Sequence, residues 1–205
     1  VAPVKRPTVE ERRNEILETT CQVVVERGFA ATRVADVANK LGVSTGLIHY
    51  HFDTKDELLA EALAYAARAD LARLEAEVAE GTSPLDKLNR VFLLYSPAEA
   101  EPGWMLWIDS WGEALRNPAL KRISQRLDDA WQTVLEDVIV EGVKDGTFTC
   151  ADPHATAWRL AAMLDGLGLQ VTVHEDVVSR DELLAWVRQA ACVELGLPAG
   201  AFAAP

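Results

Sequence analysis

The chain has 205 residues, 49% of them hydrophobic and 25% charged, an ordinary globular composition that suits one large domain or a small one joined to a medium one. No apolar run is long enough to cross a bilayer, and the polar, basic start VAPVKRPTVEERR carries no signal pattern, so a cytoplasmic protein without a membrane partner is expected. The three cysteines, Cys21, Cys150 and Cys192, are odd in number, far apart and in apolar contexts, which reads as small buried thiols and excludes a CxxC-type metal site.

Residues 10–27 place Ile16, Leu17, Thr20, Val23 and Val24 at helical spacing, and Gly28 ends that helix with Phe29 folding back onto it. Thr32 is the expected N-cap of a second helix that buries Val34, Val37, Ala38 and Leu41. Gly42 supplies a turn, Ser44 caps a short third helix over 45–51, and Asp53 or Thr54 caps a fourth that runs to about residue 80. Leu47, Ile48 and Phe52 are expected in the core. Beyond the break at Gly81-Thr-Ser-Pro84 come an amphipathic helix over 85–95, a loop over 96–103 and a Trp-rich helix over 103–116. Asn117-Pro118 opens a long helix to about residue 144, Asp152-Pro153 another to about 174, and the capping box at Ser179 and Glu182 starts the last. The expectation is an all-α chain of about nine helices. Residues 1–55 form a three-helix head with a helix-turn-helix, and residues 56–205 form a ligand-binding and dimerisation body, with the boundary inside the fourth helix.

Two short helices joined by a glycine turn over 32–55 are the layout that places one helix in the DNA major groove. The net charge of −12 fits this once divided: residues 1–55 carry eight Lys/Arg against seven Asp/Glu, and residues 56–205 carry twelve against twenty-five. An acidic body is repelled by phosphate and turns away from DNA, and so weakly basic a head needs two copies at one site.

The first helix ending in Gly-Phe, the helix-turn-helix and the string IHYHFDTKDELL resemble the tetracycline-repressor (TetR) family, closely over about residues 10–60 and by layout beyond. His49 stands where tyrosine is commonest in that family. The stretch LWIDSWGEALRNPALKRI, with Trp107, Trp111, Ala114, Asn117 and Pro118, is similar to the C-terminal domain of regulators typified by the choline-responsive betaine repressor. The resemblance implies a repressor that binds operator DNA as a homodimer through its last two helices. Ala155, Ala161, Ala162, Gly166 and Gly168 make one of those helices slim, and Leu183, Leu184, Val187, Ala190 and Ala191 give the other an apolar face.

In the head, Ser44, Thr45, Gly46, His49 and Tyr50 are the expected base-facing positions. Tyr50, His51 and Lys55 are placed for phosphates, Thr32 and Arg33 for the opposite strand, and Lys5, Arg6, Arg12 and Arg13 for further backbone or minor-groove contacts. In the body, Trp104, Trp107 and Trp111 share one helix face, with Trp131 and Trp158 on neighbouring helices. With Asp109, Glu113 and Asp165 they are the candidate ligand residues. The sharpest reading is a box of Trp107, Trp111 and Trp158 with Asp165 as its anionic anchor, for a polyamine or a choline-like cation. Asp109 and Glu113 fall about 200° from the Trp face, where Arg116 can pair with Asp109. The alternatives are a tryptophan core with a neutral or apolar ligand, an activator on the same fold, and a helical interaction protein without DNA binding. No phosphate loop, nucleophile elbow or metal-ligand cluster is present, so no enzyme, cofactor or metal is expected.

Overall fold

Each helix begins and ends where local chemistry dictates. In a computed structural model, which describes residues 7–97, 101–174 and 176–202, the described residues form nine α-helices and no strand. Lys5 and Arg6 lie outside the described residues. Helix α1 (Val9–Arg27) opens on a capping box in which Thr8 and Glu11 exchange side-chain and backbone bonds, and it closes at Gly28 with φ of +80°. Helix α2 (Val34–Leu41) ends at Gly42, whose left-handed φ of +72° turns the chain into α3 (Thr45–His51). Ser44 caps α3 by accepting the Leu47 N–H at 3.3 Å. Helix α4 (Lys55–Ala79) is capped by Thr54, which accepts the Glu57 N–H at 3.0 Å.

The N-cap of α2 is Arg33, not Thr32. Asp36, three residues in, accepts the Arg33 N–H at 3.0 Å, while the Thr32 hydroxyl reaches back one turn to the Gly28 carbonyl at 2.8 Å. The remaining helices are α5 (Pro84–Tyr95), α6 (Pro102–Ala114), α7 (Pro118–Lys144), α8 (Pro153–Val173) and α9 (Arg180–Glu194). Ser83, Asp152 and Ser179 cap α5, α8 and α9.

The helices gather into two compact units. One takes the chain up to Ala69 with Met105–Leu127, the other Asp70–Trp104 with Asp128 onward, and α4, α6 and α7 run from one into the other. In the first unit, Ile16, Leu17, Val37, Ile48, Phe52 and Leu58 make the core of the helix-turn-helix. A second cluster there packs Phe29 with Val24, Leu59, Leu63, Leu106 and Leu120. The other unit is built round Leu88, Phe92, Leu135, Ile139, Leu160, Leu164, Leu183 and Val187. Cys192 is buried and Cys21 and Cys150 half-buried, all three as thiols.

Four of the five apolar α9 positions expected at a dimer interface, Leu183, Leu184, Val187 and Ala191, are instead core of their own unit, as is Ala161 of α8. Gly168 is likewise taken: a Cβ there would stand 2.2 Å from the Trp104 ring. The face these helices leave exposed carries Trp158, Ala162, Gly166 and Val173 on α8, and Trp186 and Val193 on α9.

Candidate functional site

The recognition helix turns one face inward and one out. Ile48 and the following Phe52 are buried, while Ser44, Thr45, Gly46, His49 and Tyr50 are exposed. Tyr50 is 73% exposed, a large aromatic that no packing inside the head requires. Glycine at 46 is not demanded by the fold either, since an added Cβ would meet only the Ser44 hydroxyl at 3.7 Å. Its small size is available to a partner's surface. The Arg33 side chain is exposed as well.

Thr32 departs from expectation. It is 1% exposed, with both its hydroxyl and its N–H bonded to the Gly28 carbonyl, so its side chain serves the turn and not a DNA strand. Lys55 is half-buried and donates from Nζ to the Ala30 carbonyl at 3.2 Å, which uses one of its three N–H groups.

Arg13 is also structural. Its guanidinium lies 4.3 Å from the Phe52 ring centre, donates to the His51 carbonyl at 2.9 Å, and pairs with Glu61. It thereby fixes the C-terminal end of α3 against α4. Burial first, then the charges of Arg13 and Arg12, hold the His51 imidazole below its ordinary pKa, so near neutral pH it offers one N–H to an acceptor and no charge. Arg12 pairs with Glu15 at 2.7 Å. Replacing Arg13 with alanine should destabilise the chain by about 1–3 kcal/mol, because a stacked cation and a carbonyl's donor disappear together. Urea unfolding checks this.

In the other unit three of the expected ligand residues meet around a residue the sequence reading did not single out. Tyr95, the last residue of α5, donates its hydroxyl to Asp165 Oδ1 at 2.6 Å. Trp131 stands edge-on to the Tyr95 ring at 5.1 Å and Trp104 at 6.0 Å. Trp104 is fixed by its indole N–H, which donates to the Tyr95 carbonyl at 3.1 Å, and by the bare backbone of Gly168 under its ring. The carbonyls at a helix end lack intrahelical partners, which is why one is open to an indole. The Trp131 Nε1 is buried with no hydrogen-bond partner among the described residues.

Electrostatics set this group apart. Burial pushes the Asp165 carboxyl above the ordinary aspartate value of 3.8, opposed by the bond from Tyr95. The Tyr95 phenol is driven well up by burial, then by Asp165 and also Asp128, so it remains a neutral donor. In the same unit Asp70 is raised by burial and by Glu101. The result is an aromatic-walled, acidic group of side chains.

The other ligand candidates lie elsewhere. Trp107, Asp109, Trp111 and Glu113 belong to the first unit. Trp107 and Trp111 pack on each other at 6.2 Å. Trp158 is 46% exposed and edges onto the His154 ring, away from any core. Asp109 does not pair with Arg116. It accepts the Phe29 N–H at 2.6 Å, while Arg116 reaches the Gly112 carbonyl of its own helix.

Residues 16–62 match the family described as bacterial regulatory proteins, tetR family, and residues 84–194, over half of the chain, match the BetI-type transcriptional repressor C-terminal family. The HTH-type transcriptional regulator BetI of Paraburkholderia xenovorans is 30% identical over 173 residues, which cover 78% of this chain and 82% of that protein. BetI of Paraburkholderia phymatum is 28% identical over 171 residues, covering 82% and 84%. Among solved structures, a transcriptional regulator from Saccharomonospora viridis in complex with choline superposes with a TM-score of 0.82 at 30% identity, over 91% of this chain and 98% of that one. These relatives are transcriptional regulators, and no catalytic family is indicated. The chain belongs to the TetR family of bacterial regulators, with a BetI-type C-terminal region, and is a ligand-responsive, DNA-binding transcriptional repressor.

Proposed function

We propose that this repressor is released from its operator by a small organic cation of the quaternary-ammonium type, taken up by Tyr95, Trp104, Trp131 and Asp165. The observation that carries the reading is the partly buried Tyr95–Asp165 bond flanked by two indoles. Aromatic faces attract a cation, most of all one without its own hydrogen-bond donors, and a carboxylate beside them supplies the counter-charge. The unpartnered Trp131 N–H would meet an oxygen on the same molecule, as in an amino alcohol. The solved relative from Saccharomonospora viridis binds choline, which supports this class of ligand. A neutral or apolar effector would leave the half-buried Asp165 with its Tyr95 bond but no counter-charge, which weighs against that alternative.

On DNA, Thr45, Gly46, His49 and Tyr50 would face base edges, with Ser44, His51 and Lys55 close to phosphates and the Arg33 side chain on the opposite strand. Two copies would associate through the exposed Trp158, Ala162, Gly166, Val173, Trp186 and Val193 of α8 and α9, setting the recognition helices about 34–36 Å apart. The cation must prefer the state whose heads do not fit that spacing.

The sign of the pH dependence follows from Asp165. Its raised pKa means the carboxyl holds its proton above the ordinary aspartate range, and only the ionised form attracts a cation. Choline carries a permanent charge, so its affinity should fall as the solution is acidified through that range and level off above it. Tryptophan-fluorescence titrations with choline at stepped pH test the reading. A pH-independent affinity, or no binding of choline, would remove the anionic anchor.

A further inference from the structure

The turn between α1 and the helix-turn-helix is held at three backbone groups, by Thr32 and by side chains of α6 and α4. The Gly28 carbonyl accepts the Thr32 N–H at 3.1 Å and its hydroxyl at 2.8 Å. The same peptide also donates: its Phe29 N–H meets Asp109 Oδ2 of α6 at 2.6 Å. Two peptides on, the Ala30 carbonyl accepts from Lys55 Nζ of α4 at 3.2 Å. The Phe29 ring is fully buried beside Leu106 and Leu120, so α6 grips this turn by a side chain on either side of one peptide.

Gly28 is fixed twice over. Its φ of +80° suits glycine, and a Cβ there would stand 3.2 Å from the Asp109 carboxylate. A carboxylate accepting a backbone N–H in partly buried surroundings is a strong hydrogen bond, about twice a neutral one. Its partner is the first peptide beyond α1, and the next helix is the first of the helix-turn-helix.

We propose that Asp109 is a positioning residue for operator recognition: its bond to the Phe29 N–H locks the helix-turn-helix to α6, and this lock is what makes the dimer selective for one half-site spacing. In this role Asp109 acts through the Phe29 peptide, with no contact to a base required. A family dimer whose heads are locked tolerates only the spacing they present, because each added base pair both shifts and rotates the second half-site. A head free to swivel about Phe29 tolerates neighbours of that spacing. The proposal does not rest on the identity of the effector.

The test uses the full chain and operator DNA from beside its own gene, with the spacer between half-sites lengthened or shortened by one and two base pairs. The wild type should lose at least tenfold in affinity at each altered spacer. Asp109→Ala should differ by less than threefold across the series while binding the natural spacer within tenfold of wild type. Asp109→Asn keeps an oxygen that accepts the Phe29 N–H without the charge, so it should fall between them. A general loss of stability would weaken all spacers alike. An Asp109→Ala chain that discriminates as the wild type does would overturn the proposal. Where that chain does not fold, Asp109→Asn decides: a discrimination at least threefold smaller than wild type supports the lock, and an unchanged one overturns it. Choline, added in a parallel arm, reports only on the amine reading; its failure to release any of the chains would leave the spacer result standing.

Discussion

Asp165→Asn is expected to weaken choline binding by about 10–100-fold, some 1.4–2.8 kcal/mol. Asparagine is close to isosteric, and its oxygen still accepts the Tyr95 hydroxyl that meets Asp165 Oδ1 at 2.6 Å. The aromatic arrangement therefore survives, and only the charge goes. In partly buried surroundings a unit charge a few ångströms from an ammonium is worth a few kcal/mol before desolvation is subtracted, which sets the size of the effect. The same substitution should abolish the pH dependence of binding, since the raised carboxyl is then absent. The neutral isostere 3,3-dimethylbutan-1-ol should bind the variant at least as well as it binds the wild type. Isothermal titration measures all three, and an unchanged choline affinity would contradict the anchor.

The second large effect is expected in the head. Tyr50→Ala combined with Lys55→Ala should cost at least a hundredfold in operator affinity. Tyr50 is an exposed aromatic on the outer face of α3, and Lys55 brings an ammonium to the start of α4, where backbone N–H groups already favour a phosphate. Losing the Tyr50 base-edge contact and the Lys55 phosphate contact is worth about 3 kcal/mol together. Lys55→Ala alone should lower the slope of log affinity against log salt by about 1, the signature of one phosphate contact. Its bond to the Ala30 carbonyl is exposed, so thermal unfolding should move little. Full operator affinity in the double variant would mean that the head meets DNA by another face.

What the sequence disclosed was what is local. The starts of α5, α8 and α9 follow from Pro84, Asp152 and Ser179, while Thr8, which caps α1 one residue ahead of the helical pattern, was not singled out. The division of α3 into an inner Ile48 and an outer Tyr50 follows from helical period alone. Thr32 misled because threonine before a helix is a standard cap, and only the fold shows Asp36 taking that task from three residues inside. The group around Tyr95 was half legible. Asp165 and the richness in tryptophan stood out, yet Tyr95 lies 70 residues from Asp165, and no period links α5 to α8. Gly168 offered a signal that was read the wrong way: its small side was assigned to a second copy, while it is filled by the ring of Trp104. Asp109 was read as a partner of Arg116, but its partner is a backbone N–H 80 residues away, which side-chain pairing rules do not reach.

The assignment of Tyr95, Trp104, Trp131 and Asp165 to a cation that controls DNA binding meets its most direct test in operator release. Fluorescence polarisation of labelled operator DNA would be followed as choline, and separately its neutral isostere 3,3-dimethylbutan-1-ol, is added to the wild type and to Asp165→Asn. Release of the wild type by choline, little release by the isostere, and a need for at least tenfold more choline with the variant are the predicted results. Equal release by the two compounds, or by choline from both chains at the same concentration, would contradict the account.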